Sequence, residues 1–197
     1  MMKTWKLAIL FLSSPVFAAL TPKSDLPDVS LKELLSMPEK NRERVAFKQN
    51  KPNLYPDLLK MAFNKEEGFQ YRWKALTLAA TLGGSNSTGD IQKACQSEEW
   101  FMKNACLLAL QRINAKKSSE FAQKLLADKA LVVRSAAVRV LAASLTPEKR
   151  DLLWDELNKD YNYRLKQSLW VRSQIIEALA KSPEKSELPL FAKSLRD

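Results

Sequence analysis

Histidine is absent from this 197-residue sequence, and glycine occurs only four times. Without histidine, the chain cannot build a Ser-His-Asp or Cys-His nucleophile, an imidazole proton relay or the usual histidine-containing zinc site. The few glycines form no Gly-rich loop of the Walker or dinucleotide-binding kind. We therefore expect no catalytic constellation, no metal and no cofactor, and a binding protein becomes the favoured class.

Cysteine is nearly absent as well, with Cys95 and Cys106 as the only two. Their spacing excludes a C-x-x-C redox motif. In an oxidising compartment such a pair can close a disulfide. Both cysteines also fall on apolar positions of predicted neighbouring helices, so two buried thiols fit the pattern equally well.

Acidic residues are in the minority, because 32 Lys and Arg residues stand against 22 Asp and Glu residues and give a formal net charge of +10. Such a surplus attracts nucleic acid, anionic lipid or lipopolysaccharide, and acidic protein. The lysines are scattered, however, which is typical of a solvated helical surface. Charge alone therefore leaves open whether the surplus recognises a ligand or only keeps the surface hydrated.

Residues 1–18 have the pattern of a Sec-type signal peptide. Two lysines precede the apolar run of residues 7–12, which falls short of the roughly 20 residues needed to span a bilayer. Small residues predict cleavage between Ala18 and Ala19, and a retained anchor is the alternative. We expect a periplasmic or secreted product without a transmembrane anchor, and export argues against DNA as its partner.

Four segments of the remaining chain repeat one helical pattern. Each has a basic residue followed, three, four and seven positions later, by apolar residues, as on one face of an α-helix. The basic residues are Arg72, Lys103, Arg134 and Arg172, at successive spacings of 31, 31 and 38. A second apolar-periodic stretch precedes each segment, so each unit is predicted to be a helical hairpin. One hairpin cannot hide its apolar stripe alone, and the units must therefore stack.

The third unit carries the clearest signature. In residues 125–143, the turn acid Asp128 precedes the pair Val133–Arg134 at the start of the second helix, and this segment resembles a HEAT repeat. The resemblance covers roughly residues 55 to 195. It implies an all-α fold, namely a short right-handed α-solenoid of about four to five HEAT-like hairpins. It is nearly silent about activity.

The resemblance also implies structural roles for individual residues. In HEAT repeats the turn acid and the basic residue form hydrogen-bonding ladders, and the matching positions here are Arg72, Lys103, Asp128, Arg134 and Arg172. Glu66 matches the acid of the first clear unit, whereas Ser97 and Lys166 occupy that position in two other units. These departures argue against a continuous ladder.

The sequence thus divides into three parts. Residues 1–18 are the predicted signal peptide, residues 19–54 a leader with N-terminal capping helices, and residues 55–197 the HEAT-like hairpins. Ser30 with Glu33, ahead of a leucine pair, matches a capping box and predicts the start of the first capping helix.

Side chains that point away from the apolar seam of the second helices are expected to line a concave face. The candidate binding residues on this face are Trp73, Asn104 and Arg139. For Trp73 the alternatives are an exposed anchor for a partner and a half-buried packing residue.

The fourth unit is seven residues longer than the others, since its spacing is 38 rather than 31. The extra residues fall in segment 158–168, NKDYNYRLKQS, and insertions in solenoids often map to a binding face. Candidate contact residues there are Tyr161, Tyr163, Arg164 and Lys166. The alternative is a helix extended by two turns, with the tyrosines packed on their neighbours.

Three functional classes follow from these features. The favoured one is an exported, non-catalytic scaffold that holds a protein or peptide on its concave face. The second is a basic binder of an anionic polymer or envelope surface, whose affinity should fall steeply with salt. The third is an enzyme, because some HEAT-like arrays resemble alkylpurine DNA glycosylases or bilin lyases. The predicted export and the lack of a clustered Trp-Asp-Arg set argue against this third class.

Overall fold

The computed structural model describes residues 29–49 and 51–194 of the chain. The predicted signal peptide, with its cleavage site between Ala18 and Ala19, lies outside the described residues, as does the leader segment 19–28.

The described residues are mostly helical with little strand, which confirms the predicted all-α class. The α-helices are α1 (Leu31–Ser36), α2 (Glu39–Gln49), α3 (Leu54–Phe63), α4 (Phe69–Gly83), α5 (Thr88–Ile91), α6 (Trp100–Ile113), α7 (Ala115–Leu125), α8 (Leu131–Ala142), α9 (Pro147–Leu157), α10 (Trp170–Ala180) and α11 (Leu188–Ser194). Short 3-10 helices occupy Gly84–Ser87, Gln92–Gln96, Asp160–Asn162 and Lys185–Glu187. Across the two described ranges, no helix has the length and apolar character needed to cross a membrane.

Local side-chain chemistry sets several helix starts. The Ser30 hydroxyl accepts from the backbone N–H of Glu33 at 3.3 Å, and the Glu33 carboxylate accepts from the Ser30 N–H at 2.8 Å. This is the predicted capping box, and it satisfies two donors that the first turn of a helix leaves free. Helix α9 begins in the same way, because Thr146 accepts from the Lys149 N–H and Pro147 occupies the first turn.

One helix of each repeat unit packs on the corresponding helix of the next unit. Helix α4 packs on α6, α6 on α8, and α8 on α10, and we call these the central helices. Each central helix also packs on the segment before it: α3, Gln92–Gln96, α7 and α9, respectively. The residues seven positions after each repeated cation are fully buried, and they are Ala79, Leu110, Leu141 and Leu179. The apolar periodicity of the sequence therefore corresponds to the interior of this row.

Residues 84–96 form a chain of short helices where the sequence predicts one helix. Helix α4 ends at Gly83, and Gly84 takes a positive φ of 52°, which a side chain would disfavour. Beyond it, the Ser87 and Thr88 hydroxyls donate to the Gly84 and Ser85 carbonyls at 2.6 and 2.7 Å. These local bonds compete with the i to i+4 ladder of a regular helix.

The insertion in the fourth unit forms a β-hairpin, so the alternative of a helix extended by two turns is wrong. Strands β1 (Tyr163–Arg164) and β2 (Gln167–Ser168) are antiparallel, with Tyr163 opposite Ser168 and Arg164 opposite Gln167. The turn residues Leu165 and Lys166 have φ values of 50° and 64°. A side chain in this left-handed region costs about 1 kcal/mol or more per residue.

The two cysteines form a disulfide that joins the irregular segment to a central helix. Cys95 lies in the 3-10 helix Gln92–Gln96, Cys106 lies in α6, and their Cα atoms are 5.3 Å apart. Both are buried. The bond therefore ties residues 84–96, which have few regular backbone hydrogen bonds of their own, to the packed core.

Removing the disulfide should lower the free energy of unfolding by about 3 kcal/mol, because the unfolded chain has more conformational entropy without this cross-link. Guanidinium unfolding of C95S/C106S against the wild type measures the loss. A reducing agent should shift the wild type toward the variant and leave the variant unchanged. Equal stability of the two proteins would show that the bond adds nothing beyond the packing of residues 84–96.

Candidate functional site

The repeated basic residues meet polar groups at the start of the next unit. Arg72, in the first turn of α4, donates to both carboxylate oxygens of Glu99 at 2.7 and 2.5 Å, and its Nε donates to the Ala62 carbonyl at 3.1 Å. Lys103, in the first turn of α6, donates to the Asp128 carboxylate at 2.6 Å. We call Arg72, Lys103, Arg134 and Arg172 the cation ladder.

Arg134 and Arg172, the other two cations of the ladder, bind amide and carbonyl oxygens. The Arg134 Nε donates to the Asn162 amide oxygen at 3.1 Å, and its Nη2 donates to the Tyr161 carbonyl at 2.8 Å. The Arg172 guanidinium donates to the Leu157 carbonyl at 2.9 Å and to the Asn158 amide oxygen at 3.0 Å. Both arginines are buried, so these bonds replace the water that the guanidinium groups lose.

Ser97 and Lys166 occupy acid positions of the repeat, and in both units a neighbouring residue provides the acceptor instead. Glu66 is exposed, and the carboxylate that binds Arg72 is Glu99, which lies two residues after Ser97. At the fourth unit, Lys166 lies in the hairpin turn and Asn162 provides the acceptor instead. The ladder is therefore more continuous than Ser97 and Lys166 suggest, because neighbouring residues take over the acceptor role.

Aromatic rings cover three of the guanidinium groups. Phe101 lies 5.0 Å from Arg72, Tyr161 lies 5.3 Å from Arg134, and Tyr163 lies 4.2 Å from Arg172, measured to the ring centroids. Such stacking favours a cation that is largely removed from water. The tyrosines of the insertion thus pack against the ladder, as the packing alternative expects.

Tyr161 is also held by its hydroxyl group. It donates to the Glu156 carboxylate at 2.8 Å, while the Asn162 amide donates to the Glu156 carbonyl at the same distance. Burial, followed by the hydrogen bond and charge of Glu156, raises the pKa of Tyr161 to about 12. Tyr161 therefore stays neutral and serves as a hydrogen-bond donor across the ordinary pH range.

A further buried ion pair closes the last unit, and the sequence analysis does not anticipate it. Arg150 on α9 is paired with the carboxylate of Glu187, which also accepts from the Trp154 indole N–H at 2.6 Å. Burial raises the pKa of Glu187, but the hydrogen bonds from Arg150 and Trp154 outweigh it and the net shift is downward. The two residues are 37 positions apart, and no periodic signal connects them.

The central helices also line a hollow of about 280 Å³ near the N-terminal helices. Its walls include Trp73, Thr77 and Leu108 from α4 and α6. At its rim, Arg112 donates to Glu39 at 2.6 Å and to Glu43 at 3.2 Å. The hollow thus combines an apolar floor with a charged rim, and Trp73 is half-buried within it.

A second hollow, of about 410 Å³, lies between α8 and α10. It is lined by Arg139, Gln174, Glu177 and Lys181 together with alanine and valine side chains. Arg139 is exposed, whereas Ser135, one turn earlier, is buried and its hydroxyl donates to the Gln174 side-chain oxygen at 2.6 Å. Ser135 follows Arg134 directly, as Trp73 follows Arg72 and Asn104 follows Lys103, so the same spacing predicts that it points away from the apolar seam, and its burial corrects that prediction.

The candidate binding residues therefore fall on two surfaces. Trp73 and Arg139 line the hollows of the central helices, and Asn104 is half-buried on α6. Arg164 and Lys166 belong to the hairpin that precedes the N-terminal end of α10, whereas Arg139 lies in the second half of α8. Within the described residues, no group of three or more Cys, Asp and Glu side chains is placed to hold a metal ion.

Comparisons of this chain with protein-family models, with curated proteins and with solved structures gave no match. The interpretation of the site therefore depends on the residues and their geometry.

Lys103→Met should destabilise the protein by about 3 kcal/mol, because it leaves the buried Asp128 carboxylate without its counter-ion. Urea unfolding measures the effect. Lys129→Met is the matched control, since this lysine side chain is 77% exposed and should change stability by less than about 0.5 kcal/mol. Similar losses in both variants would contradict a special role for the ladder.

Glu99 should make stability depend on acid pH. The hydrogen bonds from the Arg72 guanidinium are the main cause that lowers the pKa of Glu99 below its ordinary value of 4.5. Because its pKa is lowered in the fold, the carboxylate stabilises the protein at pH values above its ordinary pKa, and this stabilisation is lost as the pH falls through the lowered pKa. Between about pH 6 and pH 3, the wild type should therefore lose more stability than Glu99→Gln. Glu98→Gln, at a side chain that is 91% exposed, should follow the wild type.

Proposed function

We propose that the protein is an exported, non-catalytic scaffold that binds a protein or peptide in the periplasm. In this proposal the chain is a short right-handed α-solenoid of HEAT-like hairpins, and the partner lies along the central helices. The observation that carries the proposal is the pair of hollows lined by Trp73 and by Arg139 on these helices.

The repeated contacts support the solenoid part of the proposal. Each central helix packs on the next, and each ladder cation as far as Arg134 binds an acceptor of the following unit. A stack in which every unit contacts only its neighbours has these features. It also presents side chains of successive helices along one extended face, which suits an elongated partner better than a small molecule.

The chemistry of the hollows indicates what the partner presents. Trp73 and Leu108 offer an apolar contact, whereas Arg139 and Lys181 offer two cations beside a single carboxylate, Glu177. We therefore propose a peptide segment with an apolar side chain for the first hollow and an acidic side chain for the second. Aromatic and arginine residues are also the types that contribute most to binding at protein interfaces.

Two observations support export. The first eighteen residues have the pattern of a signal peptide, and Cys95 and Cys106 form a disulfide, which persists in oxidising compartments and rarely in the cytosol. The proposal places the mature protein, from Ala19 onward, in the periplasm.

Site-specific photo-cross-linking in the cell envelope tests the binding face. A cross-linking residue at Thr77 or Arg139, on the central helices, should capture a protein partner, whereas the same residue at Lys60 on α3 should not. Arg139→Glu should weaken binding by about tenfold, because it reverses a charge at the hollow.

Arg44→Glu is the matched control, since Arg44 is exposed on α2 and the substitution changes the net charge equally. It should leave capture unchanged. If Lys60 captures the same partner as Thr77, or if both charge reversals act alike, the central helices are not the binding face.

A further inference from the structure

The tip of the β-hairpin carries the most exposed apolar side chain among the described large hydrophobic residues. Leu165 is 90% exposed, and it shares the two-residue turn with Lys166, which is also exposed. Both residues have positive φ values, of 50° and 64°. A turn of this kind is normally formed by Asn and Gly, because leucine and lysine are disfavoured in the left-handed region.

Neither folding nor packing accounts for leucine at this tip. Asn at the same position would suit the backbone better, and the Leu165 side chain buries almost nothing against the rest of the protein. Residues held in disfavoured backbone conformations cluster at functional sites. The tip is therefore suited to an external apolar environment.

The base of the hairpin holds this tip in place. The Leu169 N–H donates to the carbonyl of Asn162 at 3.0 Å, and Asn162 itself is fully buried. Tyr163 in β1 stacks on the Arg172 guanidinium of the cation ladder at 4.2 Å. The tip is thus presented from a fixed base, and the ordering cost of binding is reduced.

The hairpin and the start of the helix that follows it carry cationic and aromatic side chains. Arg164 and Lys166 flank Leu165, and Trp170, at the start of α10, is 53% exposed. No acidic residue occurs from residue 161 to residue 176. One carboxylate, Asp160, lines the open hollow beside Tyr163, Leu165 and Lys166. The exposed charge of the hairpin itself is therefore positive.

We propose that this hairpin seats the protein on an anionic phospholipid bilayer. Leu165 enters the boundary between headgroups and acyl chains, Trp170 lies at the headgroup level, and Arg164 and Lys166 bind anionic headgroups. Tryptophan and cations at the edge of an inserted apolar residue are the chemistry of interfacial anchors. One protruding leucine suits a deformable lipid surface, because an apolar side chain gains nothing from contact with a soluble anion.

Co-sedimentation of the purified protein with phosphatidylcholine vesicles containing about one quarter phosphatidylglycerol tests the proposal. The wild type should bind these vesicles and bind pure phosphatidylcholine much more weakly. Leu165→Asn keeps every charge and should weaken binding about tenfold without lowering the thermal midpoint of unfolding. Leu188→Asn is the matched control, because Leu188 is 60% exposed on α11 and its loss should not affect binding.

The cations are tested with a second pair of variants. R164Q/K166Q should weaken vesicle binding about 25-fold, because each of the two cations near an anionic surface contributes a factor of about five. K48Q/K60Q removes the same charge from exposed positions on α2 and α3 and should have a much smaller effect. In vesicles with brominated lipid, Trp170→Phe should remove quenched emission, whereas Trp73→Phe should not.

All these variants are made in the same mature chain, from Ala19 onward, so a difference between a hairpin variant and its control reports on the hairpin. The proposal is overturned if the wild type does not bind the anionic vesicles, or if Leu165→Asn binds as the wild type does. Equal binding to neutral vesicles would also overturn it. Because Thr77 and Arg139 lie away from the hairpin, loss of vesicle binding with normal partner capture separates this site from the proposed scaffold face.

Discussion

Every central helix begins with a buried or nearly buried cation that cannot satisfy its own donors. A guanidinium or ammonium group removed from water needs acceptors with good geometry, or the fold loses several kcal/mol. In Arg72, Lys103 and Arg134 these acceptors come from the next unit along the chain. Directional bonds therefore hold α4, α6 and α8 to the units that follow them, in addition to the close packing of the alanine- and leucine-rich core.

Much of this arrangement could be predicted from the sequence because it has a period. Apolar residues seven positions after each cation are buried without exception, and the capping box at Ser30 forms as expected. What has no period could not be predicted. The acceptor Glu99 is displaced by two residues from the repeat position, and Asn162 replaces an acid only because the inserted segment changes the local path of the chain. The hairpin could not be predicted either, because its turn consists of Leu165 and Lys166 and lacks the Asn-Gly pair that is typical of such turns.

The central helices keep two kinds of surface apart. Their N-terminal ends meet along one edge, where the ladder bonds join them and the hairpin projects. Farther along the same helices, Leu108, Arg139 and Lys181 line the hollows. Because the ladder fixes the helices at one end, side chains at some distance from it keep a constant spacing. Both surfaces lie on short helices, because the central helices have 11 to 15 residues and span about three to four turns each. Tyr161 and Tyr163 pack into this edge because they stack on Arg134 and Arg172, whereas Arg164 and Lys166 are exposed on the hairpin that projects from it.

The last cation of the ladder is held differently from the others. Leu157, Asn158 and Ser168 of its own unit accept hydrogen bonds from Arg172, whereas Arg72, Lys103 and Arg134 each bind an acceptor of the following unit. Asn158 and Ser168 are the first and last residues of the inserted segment. The insertion therefore acts as a clamp, because both of its ends close on the Arg172 guanidinium and anchor the hairpin between them to the first turn of α10.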